Sequence, residues 1–202
     1  MANKYTFAEL KLSELDSDNL SDAINLSYEK IKDVFPWEQP NNLMNLTEEA
    51  DRKNFLKGLL MTRTYLSADG QWDSDGLGKP YLLCMKETDT NKQLYYHSAH
   101  SNPDDPQELV IDQVLYGKNS AGSRAYLKTD VPEIRKSFRQ WLKDNGYTKF
   151  NMKIDTNNSS LLSHVETFQV SGNDADNGVR EETTNELGLT IKNYKMTIPN
   201  GE

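Results

Sequence analysis

The stretch that decides the fold runs Leu109-Val-Ile-Asp-Gln-Val-Leu115, then Tyr116-Gly-Lys-Asn-Ser-Ala-Gly-Ser-Arg124, and on to His164. Its apolar, β-branched start reads as a strand over Leu109 to Leu115. The Gly- and Ser-rich loop that follows is small and polar. Pro132 to Asn145 then carries Ile134, Phe138, Trp141 and Leu142 at helical spacing, one apolar stripe. Asp130 suits the N-cap of that helix, Pro132 and Glu133 suit its first turn, and Gly146 suits a left-handed C-terminal residue. Phe150, Met152 and Ile154 alternate with Asn151, Lys153 and Asp155, a half-buried strand. Asn157 to Phe168 reads as a further helix led by Asn157. A strand that empties into a polar Gly/Ser loop before a helix gathers backbone N–H groups in a place where a phosphate can sit.

Outward from this core, Tyr5 to Leu12 alternates as a first strand. A helix capped by Ser17 or Ser21 follows, with Leu20, Ile24, Tyr28, Ile31 and Phe35 on one stripe and Pro36 as its stop. A second helix opens at Asn45 or Thr47, with Glu48 and Glu49 at its positive end and Leu56, Leu59 and Leu60 on its apolar face. Tyr81 to Glu87 and Gln93 to His97 predict an antiparallel hairpin. Residues 101–106, with two Pro and two Asp, read as a loop, and residues 171–178 as a polar turn. Two closing strands are expected near Arg180 to Glu186 and Leu189 to Ile198. The predicted order is β-α-α-β-β-β-α-β-α-β-β. That is an α/β (α+β) protein, a single domain over residues 1–202, with a mixed, mostly antiparallel central sheet and helices on both faces.

The chain has 202 residues, 27% of them charged and 36% aliphatic, aromatic or Cys, with a formal net charge of −8. This suits a soluble globular protein, and the acidic balance argues against a nucleic-acid partner, which requires a basic surface. No segment approaches the ~20 apolar residues of a membrane span, and the N-terminus lacks the apolar core of a signal peptide. The lone cysteine, Cys84, lies in the apolar run Tyr81-Leu-Leu-Cys-Met85 and reads as a buried strand thiol. With no intrachain disulfide available, a reducing, cytoplasmic location is expected. Asp73-Ser-Asp75-Gly76 lacks the closing ligands of a calcium loop. His97 and His100 point to opposite faces of a strand, so no metal site is expected.

Taken together, Val114-Leu-Tyr116, the Gly-containing loop, the helix ending in Asn145-Gly-Tyr147, the next strand and Asp155-Thr-Asn157-Asn-Ser-Ser160 resemble the core of the GNAT superfamily of N-acyltransferases. The likeness in element order covers nearly the whole chain. It implies acyl-coenzyme A, for instance acetyl-CoA, as co-substrate and an amine as acceptor. It also implies a pyrophosphate loop after the fourth strand and a pantetheine arm in a splay between the fourth and fifth strands. The cofactor-binding residues it implies are Val114, Tyr116, Asn119, Ser120, Gly122, Ser123, Arg124 and Asn157. With Gly122 on the first Gly of the family loop, Asn119 stands where Gln or Arg is usual and Arg124 where Gly or Ala is usual. Asp112, on the fourth strand, takes the place of the carboxylate that accepts a proton. His164, seven residues after Asn157, stands where a Tyr would protonate the leaving thiolate. Strict alternation places Asp112 and Val114 on one strand face, and Ile111 and Gln113 on the other. A second reading is a catalytically inactive chain of this fold, viral in origin or otherwise, kept as a binding or structural protein.

Overall fold

Two neighbouring leucines of the second strand, Leu82 and Leu83, point in opposite directions, and each finds its own helical layer. The structure, a computed structural model, describes residues 3–38, 45–68, 76, 78–117, 130–155, 178–184 and 190–198. Its elements are β1 (Tyr5–Glu9), a 3-10 turn (Leu12–Glu14), α1 (Ser17–Ile31), α2 (Glu49–Ala68), β2 (Pro80–Glu87), β3 (Gln93–Asn102) and β4 (Asp105–Tyr116). They continue as α3 (Val131–Asp144), β5 (Lys149–Asp155), β6 (Gly178–Thr184) and β7 (Thr190–Thr197). The strands form a seven-stranded sheet in the order β1-β2-β3-β4-β5-β7-β6. Of its pairings only β4 with β5 is parallel. Parallel neighbours need a crossover, and α3 supplies it.

On β2, Tyr81 and Leu83 pack with Ala99, Leu109, Ile111, Met152, Ile154 and Tyr194 against Trp141 and Leu142 of α3. Leu82 and Cys84 turn the other way, onto Leu20, Ala23 and Ile24 of α1 and Leu60 and Met61 of α2. The mixed sheet therefore carries helices on both faces, and its central strands are buried on both sides, which is why residues 81–85 form an unbroken apolar run. Each fully buried Leu here contributes roughly 1.5–3 kcal/mol through loss of water contact.

Several local expectations change. The N-cap of α1 is Asp16, whose carboxylate accepts from the Asp18 and Asn19 N–H groups. It outcompetes Ser17 because its acceptor lies one position earlier, where the first free amides point. The helix ends at Ile31, and Phe35 packs beyond it on Trp37 with ring centroids 4.5 Å apart. Leu59 is 45% exposed, whereas Leu56 and Leu60 are buried. Asp130 holds the expected N-cap position of α3, but its side chain makes no capping bond. It accepts from Tyr5 Oη at 2.8 Å and Lys4 Nζ at 3.2 Å, and so ties the start of α3 to β1. The loop expected at residues 101–106 shrinks to a tight turn, because β3 runs to Asn102 and β4 begins at Asp105. Gly146 adopts φ +81°, the left-handed end expected of α3. The helix expected over Asn157 to Phe168 lies outside the described residues, as does the loop from 118 to 129.

Candidate functional site

The pairing of β4 with β5 covers only four residues of each strand, Glu108 to Ile111 opposite Lys149 to Met152. Both strands run on, β4 to Tyr116 and β5 to Asp155, but they no longer pair with each other. The sheet splits there. A cleft of about 200 Å³ opens in the split, walled by residues 111–115 of β4, residues 152–154 of β5 and parts of α1 and α2.

The split coincides with a break in the ladder on the other side of β4. Ser98 pairs with Gln113, but Ala99 pairs with Ile111. Asp112 is thus an extra residue on β4, the centre of a β-bulge. The bulge resets the alternation, which corrects the expected faces. Val114 stands opposite His97 and packs with the same layer as Ile111, on the α3 side. Gln113 faces the other layer, its amide nitrogen donating to the Leu56 carbonyl at 3.4 Å. Asp112 does not share a face with Val114. The reason is the added residue, which flips every side chain beyond it.

Asp112 lines the cleft, and its Oδ2 lies 2.8 Å from His100 Nδ1. The two side chains are 29% and 13% exposed. Because a carboxylate only accepts, the His100 ring carries hydrogen on Nδ1 in this pair. In the sequence, His100 is considered only as a metal ligand, and that role is set aside. Its place beside Asp112 is hidden there because it depends on a bulge in the neighbouring strand. His97 faces the opposite layer, among Phe7, Tyr95 and Phe138. Glu108, another acid of β4, lies at the closed end of the split. It is 2% exposed and accepts from Asn102 Nδ2 at 2.9 Å, with Lys195 Nζ 3.6 Å away. It is tied to structure rather than to the cleft.

The remaining walls are of three kinds. Ile31, Phe35, Leu56 and Leu59 give an apolar floor. Ser27 and Gln113 bring buried oxygens, Oγ and Oε1, that have no hydrogen-bond partner among the described residues. Lys30 and Lys153 bring ammonium groups, one from α1 and one from β5. An unpartnered buried oxygen costs ~1–3 kcal/mol, which a donor group on a ligand recovers.

Of the residues expected at the site, the structure brings Asp112 and Val114 into one cleft, and Tyr116 ends the same strand. Asn119, Ser120, Gly122, Ser123, Arg124, Asn157 and His164 lie outside the described residues. No group of three or more His, Cys, Asp or Glu among the described residues is placed to hold a metal ion. No helix among them is long and apolar enough to cross a membrane.

No protein-family model matches the sequence, and no curated protein matches it. Solved structures do match in shape. A GCN5-related N-acetyltransferase from Brucella melitensis superposes with a TM-score of 0.56 at 13% identity, over 98% of this chain and 77% of its own. A GNAT-family protein from Desulfovibrio desulfuricans superposes with a TM-score of 0.50 at 8% identity, over 96% of this chain and 99% of its own. The chain has the GNAT fold.

Proposed function

We propose that this GNAT-fold chain is an acyl-CoA-dependent N-acyltransferase that moves an acyl group, acetyl in the simplest case, onto an amine. One observation carries the reading: β4 and β5 part company at Ile111 and Met152 and leave a lined cleft between them, with a carboxylate at its edge. A packed sheet does not give up ladder hydrogen bonds without replacing them, because each buried peptide group needs a partner. An extended, amide-bearing arm such as pantetheine replaces them in the manner of an added strand.

In this reading the acyl thioester enters the split from the Val114 side. The loop around Asn119, Ser120, Gly122, Ser123 and Arg124, together with Tyr116 and Asn157, carries the rest of the coenzyme. The acceptor enters from the side of α1 and α2. Its ammonium gives a proton to the pair formed by Asp112 and His100. The free amine then attacks the thioester carbon, the new C–N bond forms, the C–S bond breaks, and the nitrogen sheds a second proton that offsets the one the thiolate gains. The thiolate takes a proton, for which His164 is the donor in this reading. Holding both reactants in one cleft supplies most of the acceleration, since a positioned pair reacts as if at very high concentration.

A thermal melt with excess acetyl-CoA tests the reading. A ligand at a hundred times its Kd stabilises by about 2.7 kcal/mol and raises the midpoint by several degrees. Acetyl-CoA that leaves the midpoint unmoved at millimolar concentration speaks for the inactive, binding or structural reading instead.

A further inference from the structure

Three chemical surfaces meet in the cleft, and together they describe the acceptor. A carboxylate, Asp112, stands on one arm of the split, and an ammonium, Lys153, stands on the other. Between them the floor is apolar, from Ile31 at the end of α1, Phe35 just beyond it, and Leu56 and Leu59 of α2. Among the described residues no ion pair claims Lys153, and its side chain is exposed. Asp112 is held in place from behind by His100 at 2.8 Å. Lys30 adds a second positive charge on the α1 wall.

Opposite charges on facing walls select a ligand that carries both. A plain polyamine meets Asp112 well but places its remaining positive charges near Lys30 and Lys153, where like charges repel. A purely apolar amine leaves Lys153 without a counter-charge. A peptide N-terminus carries no carboxylate next to its ammonium, so it too leaves Lys153 without a counter-charge. The buried Ser27 and Gln113 oxygens add acceptors that suit N–H donors.

From this arrangement we infer that the acceptor is a free α-amino acid, or a closely similar small zwitterion, with an apolar side chain. Its ammonium meets Asp112, its carboxylate meets Lys153, and its side chain lies on Phe35, Leu56 and Leu59. The inference rests on the acyl-transfer reading for its chemistry, but its binding claim is independent of turnover. The amide bond between the amino nitrogen and the acyl carbon replaces the thioester C–S bond; of the two protons the ammonium loses, the first goes to the Asp112 and His100 pair and the second offsets the one the thiolate gains.

The test uses the full chain and reads binding and turnover separately. L-leucine, L-phenylalanine, their decarboxylated forms isoamylamine and phenethylamine, and spermidine are titrated calorimetrically without acetyl-CoA. The same set is then assayed for CoA release. The amino acids bind at least tenfold more tightly than their decarboxylated forms and than spermidine. Lys153→Gln removes that preference, and Lys153→Arg keeps it, with an unchanged circular dichroism melt in both. Equal binding of amino acid and amine by the wild type overturns the inference. So does an unchanged preference in Lys153→Gln, or the absence of amino-acid binding at millimolar concentration. Failure of acetyl-CoA to bind while the amino acids do would remove the acyl-transfer reading and leave the zwitterion site standing.

Discussion

His100 Nδ1 on β3 lies 2.8 Å from Asp112 Oδ2 on β4, and Asp112 is the extra residue of a bulge. In an unbroken ladder the pleat alone decides which layer a side chain faces. The bulge frees Asp112 from that constraint and lets it bridge to a histidine on the neighbouring strand. The result is a carboxylate anchored by a ring nitrogen while it lines the cleft.

Asp112→Asn therefore lowers kcat by about 10²-fold, the lower end of what a positioned proton acceptor contributes. The amide keeps the shape of the side chain, so KM for acetyl-CoA stays within a few-fold. His100→Gln retains a donor for Asp112 and loses less than His100→Leu, which removes that anchor. Steady-state CoA release with both substrates varied reads all three, and unchanged turnover in Asp112→Asn removes the residue from the mechanism.

Much of this arrangement is legible in the amino-acid sequence, and the part that is not has a physical cause. The stripe of Ile134, Trp141 and Leu142 marks α3, because a helical periodicity sustained along the whole element is a local signal. The run Tyr81 to Met85 marks a central strand for the same reason. The bulge at Asp112 leaves no mark. Nothing local distinguishes Leu109-Val-Ile-Asp-Gln-Val-Leu115 from a regular strand, since the extra residue is defined only by its partner strand. Strict alternation therefore puts Val114 on the wrong face and gives no hint that His100 meets Asp112. Lys153 is an ordinary polar position in an alternating strand, and it becomes a candidate only because the split places it across from Asp112.

Two glycines in the left-handed region separate backbone strain from steric collision. Gly146 has φ +81° with open space where a Cβ would stand. Gly78 has φ +75°, and a Cβ there would collide with the Ser101 carbonyl oxygen. Gly146→Ala costs ~1–2 kcal/mol, the ordinary penalty of a left-handed L-residue. Gly78→Ala costs clearly more, because β2 must move away from the end of β3 as well. Urea unfolding of the two variants checks the order, and equal costs would mean that the 78–101 contact relaxes freely.

Cys84 is wholly buried, and burial pushes its thiol up to about 12. In the unfolded chain the thiol ionises near ~8.5. A raised folded value means that this contribution is fully present below the unfolded value and is lost as pH rises toward the folded one. Stability should fall by about 1.4 kcal/mol per pH unit from this group between pH ~9 and ~11. Cys84→Ala flattens that part of the alkaline slope by up to one proton. The native thiol should also resist a disulfide reagent at pH 8 and react at once in denaturant. Rapid reaction of the folded protein would place the thiol at the surface.

The central claim is that the gap between β4 and β5 receives the acyl thioester. Val114 lines that gap and is only half-buried, so Val114→Phe fills it without emptying the core. Calorimetric titration of acetyl-CoA into wild type and Val114→Phe is the most direct measurement. The account predicts one saturable site per chain in the wild type, and at least tenfold weaker binding in a variant whose melting temperature is unchanged. Equal affinity in the two proteins, or no heat from either at millimolar ligand, would contradict it.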